Sequence, residues 1–137
     1  MILKLRLDNL SILPAHFFAK VRSRVKDSEP DFLQITTTAG NREEADRIAT
    51  TLVDRRLAAC VQIVGPIRSV YRWQGHIEHS EEWLCQIKTT RERYAAVEAA
   101  IRELHSYDCP EIIATPIVAG SEAYLQWLID NVCASAE

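Results

Sequence analysis

Residues 57–90 decide the fold, and they read LAACVQIVGPIRSVYRWQGHIEHSEEWLCQIKTT. On both sides of Gln74 and Gly75 the residues are mostly β-branched, aromatic or apolar, as in paired strands. A glycine beside Gln74 supplies the positive φ that a tight turn needs. The stretch therefore predicts a β-hairpin with arms at residues 61–73 and 76–90. At ~3.3 Å per residue, an arm of about fifteen residues is ~50 Å long, whereas strands commonly have about 5–6 residues.

The length of these arms predicts self-association. Gly65 and Pro66 interrupt the first arm, and because proline cannot donate to a strand ladder we expect a bulge or bend there. Tyr71, Trp73 and Trp83 lie on arms that extend beyond a domain of this size, so their rings need a covering surface. A second copy of the chain is the simplest partner.

A strand and a helix precede the hairpin. Residues 32–38 are rich in Ile and Thr and predict a strand, and Gly40 releases the chain after it. Asn41 followed by Glu44 is an Asn variant of the capping box, which predicts a helix start. Apolar residues then recur at helical spacing as far as Val53.

A helix, a strand and a further helix follow the hairpin. Thr89 with Glu92 predicts a second capping box, and we expect the helix that it begins to end near Tyr107. Residues 111–118 predict a short strand, and Ser121 predicts the cap of a last helix. The order βαββαβ is the ferredoxin-like pattern, an α+β sandwich with an antiparallel sheet, here with an extra C-terminal helix.

Composition excludes several classes of protein. The 137 residues, 47% of them hydrophobic and 26% charged, are typical of one globular domain. We divide the chain into a flexible basic extension, residues 1–30, and a folded domain, residues 31–137. The domain is acidic, so we expect no nucleic-acid partner. No apolar run approaches the ~20 residues that span a bilayer, and residues 1–30 lack the core of a secretory signal, so we expect no membrane insertion and a cytoplasmic location.

Several short motifs resemble the CutA, or divalent-cation-tolerance, family. They are the segments 57–60, 71–75, 88–90 and 105–111 and the sequence around Trp127. The resemblance implies a ferredoxin-like fold and a homotrimer whose hairpins pair between subunits, an architecture similar to that of the trimeric PII signalling proteins. It also implies a role in tolerance of copper and other divalent cations. No catalytic motif such as G-x-S-x-G or H-E-x-x-H is present, so we expect binding rather than catalysis.

His105, Cys109 and Cys60 are the candidate metal ligands. Imidazole and thiolate suit Cu²⁺ or another soft divalent cation. His105 lies where some members of the resembled family carry a copper-binding histidine pair, although Leu104 replaces the second histidine here. Two alternatives remain open, that His105 caps the helix end and that Cys60 is a small buried residue.

Trp73, Lys88, Tyr107 and Glu111 are the candidate lining of a cleft between subunits. Aromatic walls with a few polar groups are typical of small-molecule sites, so a small effector is the second predicted ligand. Lys88 and Glu111 lie among apolar strand residues, and the alternative is that they form a salt bridge between subunits. A third interpretation is an oligomerisation module whose extension, residues 1–30, docks a protein partner.

Overall fold

A computed structural model describes residues 31–132. In chain order the elements are β1 (Phe32–Ala39), α1 (Arg42–Asp54), β2 (Cys60–Trp73), β3 (His76–Thr90), a 3₁₀ turn (Arg91–Arg93), α2 (Tyr94–Leu104), β4 (Ile113–Pro116) and α3 (Glu122–Val132). The four strands form one antiparallel sheet in the order β2-β3-β1-β4, which confirms the predicted ferredoxin-like α+β fold. The predicted extension, with its docking role, lies outside the described residues.

The main core lies between the sheet and helices α1 and α2. Side chains alternate between the two faces of a strand, and Ile35, Cys85 and Ile87 point from β1 and β3 into this core without solvent exposure. The helices contribute Ile48, Leu52, Val97 and Ile101. Phe32 is three positions from Ile35 and therefore points to the opposite face, where it packs with Leu128 and Val132 of α3.

The two predicted capping boxes have different outcomes. The Asn41 side chain accepts a hydrogen bond from Glu44 N at 2.8 Å, which confirms the start of α1. The box predicted at Thr89 is wrong, because Thr89 is fully buried in β3 and its hydroxyl donates to the Leu57 carbonyl at 2.6 Å. Helix α2 consequently begins only after the 3₁₀ turn, at Tyr94, and ends at Leu104 rather than near Tyr107.

The hairpin has the turn and the bulge that the sequence predicts. Gln74 and Gly75 have φ angles of 47° and 81°, the positive values typical of a tight two-residue hairpin turn. The pairing of β2 with β3 shifts register between Val64 and Ile67, where Gly65 and Pro66 lie. A Cβ atom on Gly65 would lie 2.6 Å from Trp83 Cε3, so the missing side chain lets the indole pack against β2.

The outer part of the hairpin extends beyond the rest of the sheet. Strand β1 pairs with β3 only from Trp83 to Thr90, and within the described residues the segment 76–82 pairs with β2 alone. Apolar side chains lie on both strands of this outer part, and Val70 of β2 and Ile77 of β3 keep 60% and 62% of their surface exposed. Within residues 31–132 the hairpin thus leaves apolar surface and strand edges uncovered.

We predict that Gly65→Ala lowers the free energy of unfolding by about 1–3 kcal/mol, because the new methyl group must displace a packed indole ring. Urea denaturation of the two proteins measures the difference. Gly120→Ala is the matched control: its added Cβ meets the Leu125 side chain at 2.9 Å, and a flexible leucine end can move away. Equal losses in the two variants would contradict the packing role of Gly65.

Candidate functional site

A cavity of about 560 Å³ lies between the overhanging hairpin and the loop that follows α2. Tyr71 and Trp73 from β2 and Glu82 from β3 line one side of it. The loop lines the other side through residues that include Tyr107 and Glu111. The shape of the cavity therefore depends on how the loop is held against the first helix and the sheet.

Glu44 of α1 holds the beginning of this loop. Its carboxylate is 2% exposed and accepts hydrogen bonds from Ser106 N at 2.6 Å and from Ser106 Oγ at 3.0 Å. The backbone nitrogen of Glu44 is bonded to Asn41, so one residue both starts the helix and anchors a loop 62 positions away. A buried carboxylate needs such partners, since desolvation of an unpaired charge is costly.

Both ring nitrogens of His105 are engaged in hydrogen bonds. Nε2 lies 2.6 Å from the carbonyl oxygen of Thr38, which can only accept, so Nε2 carries the hydrogen. Nδ1 accepts from Tyr107 N at 3.0 Å and lies 3.7 Å from Glu44 Oε1. The side chain is fully buried, and neither nitrogen has a free lone pair for a cation. In this geometry His105 fastens the loop to β1.

Tyr107 connects the loop to the hairpin. Its hydroxyl donates to Glu82 Oε1 at 3.1 Å, and its ring lies 4.8 Å from the His105 ring, centroid to centroid. A Cβ on Gly40 would lie 2.9 Å from Tyr107 Oη, so glycine leaves room for this ring. Burial, followed by the neighbouring Glu82 carboxylate, raises the pKa of Tyr107 to about 12. At neutral pH Tyr107 is thus a hydrogen-bond donor within the wall of the cavity.

Three of the four predicted cleft residues line the cavity, and Lys88 does not. Trp73, Tyr107 and Glu111 line it together. Lys88 lies near the other end of β3, opposite Cys60, and its ammonium group donates to the Gln62 side chain. Glu111 is exposed, and within residues 31–132 no ion pair joins it to Lys88. The location of this cleft between subunits stays a prediction.

The candidate metal ligands are not assembled in one chain. Cys109 is exposed and lines the cavity, whereas Cys60 is half-buried at the start of β2, where it neighbours Tyr124. The thiol of Cys85 is buried, and burial, with Asp46 and Glu44 nearby, raises its pKa to about 11. In the part of the chain that is described, no three His, Cys, Asp or Glu side chains are placed to hold a metal ion.

Sequence reasoning missed Glu44 and Glu82 as residues of this site. Glu44 fits a capping box, which explains its position by a local interaction and hides its contact with Ser106. Glu82 belongs to the charged sequence His79–Glu82, which is typical of a solvated face, yet it is only 6% exposed. The sequence signal that could have identified Glu82 is its position next to Trp83. In the structure Glu82 pairs with Ile67, where the register of the hairpin shifts.

Comparison with known proteins gives the family. Residues 33–131 match the family model described as CutA1 divalent ion tolerance protein. The chain belongs to the CutA1 family. It is 42% identical over 97 residues to the divalent-cation tolerance protein CutA of Thermus thermophilus, covering 71% of this chain and 94% of that protein. The resemblance seen in the short motifs is thereby confirmed.

Other CutA proteins differ in length but share the fold. The chloroplastic protein CutA of Arabidopsis thaliana is 37% identical over 112 residues, which cover 82% of this chain and 62% of that protein. The crystal structure of CutA1 from Shewanella sp. SIB1 superposes with a TM-score of 0.76 at 44% identity, covering 78% of this chain and all of that chain. Residues 31–132 therefore contain a CutA domain.

We predict that Glu44→Gln lowers the free energy of unfolding by about 1–3 kcal/mol. The amide oxygen can still accept from Ser106 N, and the NH₂ group can donate to Ser106 Oγ, but both buried hydrogen bonds lose the strength that the carboxylate charge gives them. Glu43→Gln, one position away and exposed, is the matched control and should change stability by less than about 0.5 kcal/mol. Urea denaturation measures both. A loss in Glu44→Gln no larger than in the control would contradict the anchoring role.

Proposed function

We propose that this CutA protein supports tolerance of divalent cations as a homotrimer that acts by binding rather than by catalysis. The overhanging hairpin is the observation that carries the proposal. Strand edges and apolar side chains at its outer end need a partner, because an exposed edge with Val70 and Ile77 on it otherwise aggregates. A second copy supplies matching edges, and a trimer is the assembly that the resemblance to the CutA family implies.

The proposed cation is Cu²⁺ or another soft divalent ion, bound with Cys109 as the sulfur ligand. Cys109 is an exposed thiol in the cavity wall, beside Asp108 and near Glu111. Residues 31–132 of one chain offer no set of three ligands, so a complete site in this proposal takes ligands from more than one copy. Metal binding is then linked to assembly, since anything that binds only the assembled state stabilises it.

A second candidate function is regulation by a small effector. Its support is the cavity itself, whose volume of about 560 Å³ is within the range of small-molecule sites and whose walls include three aromatic rings. The cavity is open in one chain and borders the hairpin that the proposed trimer buries. An effector there would touch both the loop and the assembly surface.

The proposed location is the cytoplasm. No helix within residues 31–132 is long and apolar enough to cross a membrane. The names of similar proteins indicate other compartments, the chloroplast for the Arabidopsis protein and the periplasm for the CutA of Archaeoglobus fulgidus. The free thiols Cys60, Cys85 and Cys109 fit a reducing compartment.

We predict that native mass spectrometry of the full-length protein gives the mass of three chains. Ile77→Asp, which puts a charge on the outer hairpin, should shift the population to monomer while the far-UV circular dichroism stays unchanged. Val53→Asp is the matched control, because Val53 is an exposed apolar residue of α1 and not of the outer hairpin. A wild-type monomer, or a trimer that survives Ile77→Asp, would contradict the hairpin interface.

We also predict that the anaerobic full-length protein retains Cu²⁺ and that Cys109→Ser loses at least half of it. Cys60→Ser is the matched control, since Cys60 does not line the cavity, and it should retain copper like the wild type. Metal analysis after gel filtration gives the ratio of copper to protein. Equal copper in the wild type and in Cys109→Ser would remove Cys109 from the proposal.

A further inference from the structure

The cavity beside the hairpin carries negative charge. Glu82, Asp108 and Glu111 line it, and within residues 31–132 no lysine, arginine or histidine is among its lining residues. Glu82 is 6% exposed, so its carboxylate is poorly screened by water. Effectors with phosphate or carboxylate groups would face this charge without a cationic partner. The lining therefore favours a cation over an anion.

The aromatic walls indicate what kind of cation fits. Tyr71, Trp73 and Tyr107 line the same cavity as the carboxylates. Aromatic faces attract ammonium groups and pack against methylene chains. A small metal ion uses neither property, and the described residues bring no three ligand groups to one point for it. The charges are distributed along a cavity of about 560 Å³, which suits a ligand with separated charges.

We propose that this cavity binds an aliphatic polyamine, a flexible chain of methylenes with two or more ammonium groups. The proposal rests on the effector function given above and assigns the chemical class of the effector. Ammonium groups donate to the carboxylates, and the methylenes lie against the aromatic rings. Glu82 already accepts from the Tyr107 hydroxyl, but a carboxylate has about four acceptor positions and keeps room for a ligand.

Tyr107 and Glu44 prepare this site before the ligand arrives. The Tyr107 hydroxyl fixes the position of Glu82, and Glu44 fixes the loop that carries Tyr107 and Asp108. A site whose walls are held by buried hydrogen bonds loses less conformational entropy when it binds. Most of the conformational entropy that is lost on binding is therefore that of the flexible ligand.

The test is isothermal titration calorimetry of the full-length protein with spermidine, and with 1,8-octanediol and ATP as comparison ligands. Octanediol has a similar chain without charge, and ATP has the opposite charge. We expect heat of binding with spermidine only, and weaker binding as salt increases, because exposed ion pairs are screened. Binding of octanediol as strong as that of spermidine would overturn the role of charge.

Two variants with the same change of charge locate the site. Glu111→Gln removes an exposed carboxylate from the cavity lining, so the fold should tolerate it, and should weaken spermidine binding about fivefold. Glu122→Gln, on α3 and outside the lining, should leave the affinity unchanged. Equal weakening in the two variants would show a general effect of net charge and overturn the site.

The remaining outcomes separate this inference from the functions on which it rests. Binding of ATP without binding of spermidine would keep the effector function and overturn the polyamine class. A trimer that retains copper but binds none of the three ligands would overturn the polyamine site and leave the metal proposal standing.

Discussion

The bond between the Glu44 carboxylate and Ser106 is the interaction on which the rest of the site depends. It connects the first turn of α1 to the loop after α2 and holds His105 where its ring can reach β1. Once His105 is fixed, its Nδ1 accepts from Tyr107 N and Tyr107 reaches Glu82 on the hairpin. A series of hydrogen bonds thus extends from the helix layer to the overhanging strands.

A second constraint is the length of the hairpin. Strand β1 supports β3 only as far as Trp83, so the outer hairpin receives no pairing from the rest of the described sheet. Its base is fixed by the close contact of Gly65 with the Trp83 ring. The cavity lies where the hydrogen-bonded loop meets this outer segment, which explains why one wall is well anchored and the other is open to a partner.

The sequence predicts the fold well because the decisive signals are local. The turn at Gln74 and Gly75, the bulge at Gly65 and the cap at Asn41 depend on residues within a few positions of one another. The prediction fails at Thr89 because burial of the hydroxyl against Leu57, a contact between distant positions, overrides the local capping-box pattern. Tertiary contacts decide such cases, and no local pattern contains them.

The candidate site is less predictable because it depends on contacts between distant segments. Aromatic and charged residues near the turn and the last strand predict Trp73, Tyr107 and Glu111, and these three line one cavity. Lys88 does not line it, because Lys88 lies near the far end of a strand of 15 residues. Glu82 belongs to a charged sequence that is typical of a solvated face, and only the tertiary structure reveals its burial.

The two proposed ligands are both cations, and the same wall of the cavity is involved in each. Cys109 lies beside Asp108 and near Glu111, so a metal held by Cys109 would partly neutralise the charge that attracts a polyamine. Coupling between two ligands is reciprocal. If the metal weakens polyamine binding by a given factor, the polyamine weakens metal binding by that same factor. A protein with this cavity would couple two kinds of cation through charge alone, without a conformational change. Tolerance of divalent cations and binding of an organic cation are therefore compatible functions of one site.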